Sequence, residues 1–116
     1  MVRRVVWLVY LVVWTTALVT PQPAQASQAT LPAEAQFPVS KLLHVAAYAL
    51  LCALTGWQSF APRWRPMLLL ALSAHAALTE AVQLYVPHRH GCWEDVAIDH
   101  IGLYLGLVAA WRWWRD

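Results

Sequence analysis

Apolar residues dominate four runs of the chain, at residues 5–19, 42–57, 66–86 and 96–114, and the stretches outside them hold most of the charge and proline. None of the runs alternates with period two. Because an unpaired backbone amide in lipid costs several kcal/mol, such runs are predicted to be helices rather than barrel strands. Each approaches the roughly 20 residues that cross a bilayer, the first two only with their flanks. The predicted fold class is therefore all-α, a polytopic membrane helix bundle with four transmembrane helices. Ser40 suits an N-cap of the second helix and Gly56 its end, Pro66 suits the start of the third, and Pro87 stops it. Pro21, Pro23 and Pro32 lie among Gln, Ala, Ser and Thr without helical periodicity. The expected organisation is an N-terminal span over 1–20, an outer linker over 21–39 and a three-helix core over 40–114.

Composition agrees: 60% of the 116 residues are hydrophobic and 12% charged, whereas soluble domains carry about a quarter charged residues. The formal charge of +2 comes with no basic stripe or aromatic-basic module, so no nucleic-acid partner is expected. Charge placement instead sets topology. With the N-terminus inside, Arg3, Arg4, Arg63, Arg65, Arg112 and Arg115 fall on the cytoplasmic side, and Lys41 and Arg89 outside. Both termini are then cytoplasmic. A competing reading exists for the N-terminus, because Arg3 and Arg4, the first apolar run and Ala24-Gln25-Ala26 also fit a cleavable signal peptide ending near residue 26. Seven of the eight tryptophans fall near the ends of the runs, as expected of headgroup-level anchors, and Trp14 alone is expected to be buried within a span. Cys52 falls within a helix and Cys92 in a loop, which argues against an intrachain disulfide.

The polar residues inside this apolar frame carry the candidate chemistry. Lys41, His44 and Tyr48 recur at i, i+3 and i+7 and share one face of the second helix. A snorkelling lysine, an interfacial histidine and an aromatic anchor would read the same way. Glu80 and Gln83 lie one turn apart on the third helix, where a charged group costs at least about 2.5 kcal/mol and is expected to face the bundle and find a partner. The bland alternative for Glu80 is a bond to Gln83 or Tyr48. His75 reads as a neutral histidine bonded to a neighbouring helix. Arg89 follows Pro87 in a short outer turn and offers a planar fork to phosphate or carboxylate. Asp95 and Asp99, at i and i+4 near the start of the fourth helix, also suit its dipole. Gly102 and Gly106 form a small-xxx-small packing pair. His88, His90 and Cys92 match no strong zinc spacing, so neither a metal nor any other cofactor is expected.

The joint spacing Lys41-x-x-His44-x-x-x-Tyr48, Glu80-x-x-Gln83-x-x-x-Pro87-x-Arg89 and Asp95-x-x-x-Asp99-x-x-Gly102-x-x-x-Gly106 resembles the VanZ-like family of small bacterial integral membrane proteins. The resemblance implies residence in the bacterial inner membrane and an association with resistance to the glycopeptide teicoplanin. It departs at Ser40, where the family commonly has Asp, and at Asp99, where it commonly has Asn. The second departure replaces a group that donates and accepts with one that only accepts when ionised, and His100 stands next to it to offset the charge.

Three functions follow as expectations. In the first, Lys41, His44 and Arg89 bind an anionic lipid or cell-envelope precursor headgroup while Glu80, Asp95 and Asp99 orient them. In the second, the chain is an intramembrane enzyme on a lipid-linked envelope substrate, with Glu80 as general base and His44 or Arg89 stabilising charge; no G-x-S-x-G, H-E-x-x-H or P-loop signature supports it. In the third, the polar groups are interhelical bonds only.

Overall fold

The computed structural model describes residues 1–20, 33–86 and 93–116, and of 33–37 only the backbone. The described residues are all-helical. Helix α1 spans Val2–Val19, α2 Ala33–Trp57, α3 Arg65–Gln83 after a 3-10 turn at Pro62–Trp64, α4 Trp93–Ala109 and a short α5 Trp111–Arg115. Helix α1 runs antiparallel to α2, with Arg3 Nη1 donating to the Trp57 carbonyl at one end (3.4 Å) and Thr15 meeting His75 of α3 toward the other. Helices α2 and α4 run parallel and form the most extensive contact in the molecule.

That contact has a sequence cause. A Cβ on Gly102 would come 2.5 Å from the Val45 carbonyl oxygen, and one on Gly106 would collide with the Ala49 backbone. The expected small-residue seam is therefore real, and its partner is α2. Farther along, Trp114 is buried against Gly56 and donates from Nε1 to the Cys52 carbonyl (3.1 Å). This departs from the expectation that Trp114 anchors at headgroup level. The chain breaks helix at Ala110 (φ −102°, ψ 21°), so the predicted run to residue 114 is two helices, and the turn swings the indole inward. Trp64, Trp93, Trp111 and Trp113 stay exposed.

Helix α2 begins at Ala33, well before the predicted start. Ser40 is therefore inside the helix rather than its cap, and 33–39 is not linker. Pro38, in the second turn, lies inside the helix and forfeits one backbone bond there. Pro66 falls within the first turn of α3 as expected.

Two helices, at Val2–Val19 and Pro38–Trp57, are long and apolar enough to cross a membrane by length and composition. The expectation of four such spans is met only in part. His75, Glu80 and Gln83 lower the hydropathy of α3, and α4 has 17 residues, including Asp95 and Asp99. Their outward faces are nonetheless apolar: Met67, Leu70, Leu78, Val82, Ile101, Leu105 and Val108 are all exposed.

Candidate functional site

A lysine–carboxylate pair and a histidine–carboxylate pair join α2 to α4 at the end opposite the arginines. Lys41 Nζ pairs with Asp95 Oδ1, and one turn deeper His44 Nδ1 lies 2.9 Å from Asp99 Oδ1. Helix periodicity places the four residues: Lys41 and His44 are three apart, Asp95 and Asp99 four apart, and parallel helices keep the two ladders in step. A carboxylate can only accept, so His44 donates from Nδ1. The Asp99 side chain keeps 1% of its surface and that of His44 11%. Asp99 Oδ2 is buried with no hydrogen-bond partner among the described residues.

Below this level, Tyr48 centres a second polar group. Thr79 Oγ1 donates to the His75 carbonyl (2.8 Å), which uses its only proton. The Tyr48 hydroxyl, 3.1 Å from Thr79 Oγ1, must then donate to it and accept from His75 Nδ1, also at 3.1 Å. His75 Nε2 is left to accept from Thr15 Oγ1 at 2.8 Å. One neutral tautomer thus satisfies four side chains across α1, α2 and α3, as expected for a histidine bonded to neighbouring helices. Trp14 packs edge-on against both His44 and Tyr48, with centroids 5.6 and 5.8 Å apart.

On α3, Glu80 and Gln83 are both buried, as predicted for polar groups facing the bundle. The Gln83 amide donates to the Leu18 carbonyl at 2.9 Å, an acceptor left open near the end of α1. The Tyr48 hydroxyl meets His75 and Thr79. Arg89, with His88, His90 and Cys92, lies outside the described residues.

His100 does not turn to Asp99. Its Nδ1 donates to the Val96 carbonyl (2.7 Å) and its Nε2 meets Ser73 Oγ (2.6 Å), so both ring nitrogens are engaged elsewhere. The histidine that meets the extra acid is His44. Thr15, Thr79 and Trp14 were silent in the sequence, because a threonine in an apolar helix reads as bonded to its own backbone and a tryptophan there as packing. Among the described residues, no group of three or more His, Cys, Asp or Glu is placed to hold a metal.

Compared with known families, residues 6–115, nearly the whole chain, match the VanZ/LLP1 family, and the chain belongs to it. No curated protein and no solved structure matches.

Proposed function

We propose that this VanZ/LLP1-family membrane protein crosses the bacterial inner membrane four times and binds the anionic headgroup of a lipid or cell-envelope precursor at its outer face. Four crossings are supported by the alternating helix directions and by the apolar exposed faces of α3 and α4, whose 19 and 17 residues come to about 28 and 26 Å of helix at 1.5 Å per residue. Both termini are cytoplasmic in this reading. The Arg3–Trp57 and Arg65–Arg115 bonds gather arginines at one end of the bundle, which the positive-inside rule assigns to the cytoplasm.

The observation that carries the binding reading is the pair of ladders: Asp95 holds Lys41 and Asp99 holds His44, each carboxylate more buried than the side chain it holds. A lysine oriented by a buried acid at an interface suits a headgroup phosphate. Arg89, Tyr48, Glu80 and Gln83 complete the proposed site, and a link to glycopeptide tolerance is part of the same proposal. Native mass spectrometry of protein purified with its lipids tests it. Lys41→Ala is expected to lose anionic lipid, and unchanged retention in both Lys41→Ala and Arg89→Ala overturns the reading.

A further inference from the structure

Three histidines lie among the described residues, and their hydrogen bonding sets one apart. His75 uses both ring nitrogens on Thr15 and Tyr48, and His100 uses both on Ser73 and Val96. His44 uses Nδ1 on Asp99, while its Nε2 makes no hydrogen bond among the described residues. With Nδ1–H donated to Asp99, the neutral ring carries its lone pair on Nε2. Asp99 is 1% exposed and its second oxygen has no partner among the described residues, so no other hydrogen bond from them draws its charge away from the imidazole. A buried carboxylate that fixes the tautomer of a histidine and stabilises the imidazolium is the arrangement that makes histidine an effective base.

We infer that His44 is a general base, positioned by Asp99, for hydrolysis of an acyl ester bond in an anionic lipid whose phosphate sits at Lys41. The inference rests on the headgroup reading above. Depth selects the bond. His44 is three residues beyond Lys41 on α2, about 4.5 Å farther into the bundle at 1.5 Å per residue. In a glycerophospholipid the acyl esters lie just below the phosphate, so a base at that depth faces the ester carbonyl.

In the reaction, Nε2 takes a proton from water as the water oxygen adds to the carbonyl carbon. The C–O bond to glycerol then breaks with its electron pair on the glycerol oxygen, which receives the proton from Nε2. The products are a fatty acid and a lysolipid, and His44 returns to its neutral form.

Two measurements on the full chain in detergent test this. In the first, the protein is incubated with phosphatidylglycerol vesicles, with diacylglycerol as the uncharged arm, and products are followed by mass spectrometry. Lysophosphatidylglycerol is expected from the wild type, with diacylglycerol a poorer substrate. Loss of about 10²-fold or more is expected in His44→Gln, and a large loss in Asp99→Asn. No hydrolysis by the wild type, or equal rates in His44→Gln, overturns the inference. In the second, diethyl pyrocarbonate labelling is mapped by peptide: His44 is expected to react faster than His75 and His100 and to slow in Asp99→Asn, and equal reactivity of the three overturns it. Failure here with lipid still lost in Lys41→Ala leaves the binding reading standing.

Discussion

Gly106 of α4 lies so close to Ala49 of α2 that a Cβ on the glycine would meet the Ala49 backbone rather than a movable side chain. Neither backbone can yield without shifting its helix, and the Lys41–Asp95 and His44–Asp99 pairs sit on the same pair of helices. Gly106→Ala is therefore expected to destabilise by about 1–3 kcal/mol, in the range of overpacking, and Gly102→Ala by a similar amount. Gly56→Ala meets the Trp114 indole instead, a side chain rather than a backbone, so it is expected to cost less. Thermal unfolding in detergent orders the three, and an equal or larger loss at Gly56 contradicts this account.

The Lys41–Asp95 pair gives a second expectation. Asp95 is buried with 8% of its side chain exposed and Lys41 with 20%, so removing the lysine leaves an acid in a place that solvates it poorly. Lys41→Met is expected to cost about 3 kcal/mol or more. Lys41→Met combined with Asp95→Leu is expected to recover most of that loss while abolishing anionic-lipid retention. Unfolding and native mass spectrometry on the same samples separate stability from binding.

His75 couples three helices through one proton arrangement. Tyr48→Phe leaves His75 Nδ1 and Thr79 short of a partner, and Thr15→Val does the same at Nε2. Each is expected to cost about 1–3 kcal/mol. Because both act through the same ring, the double variant is expected to cost less than the sum by 0.5 kcal/mol or more. A double-mutant cycle from detergent unfolding measures the coupling, and strict additivity would show the relay is not a unit.

Helix α1 is tied in by Tyr10 to the Ala47 carbonyl (2.7 Å), Trp7 to Thr55 (2.9 Å) and Thr15 to His75 (2.8 Å). Losing it would strip partners from buried groups on α2 and α3. The mature protein is expected to retain residues 1–26, and its intact mass decides between retention and cleavage after Ala26.

Helix class, the apolar runs and the small-residue seam follow from the sequence, since periodicity and hydropathy act locally and a glycine pair at four-residue spacing has few other uses. The shared face of Lys41, His44 and Tyr48 was legible for the same reason. Which acid each cation meets was not, because that depends on α2 and α4 running parallel and in step, a property of the assembled bundle. The break at Ala110 and the inward turn of Trp114 also come from packing against Gly56 and Cys52. Most plainly, three histidines look alike along the chain. Only tertiary structure, by closing both nitrogens of His75 and His100 and one of His44, decided which of them keeps a lone pair to use.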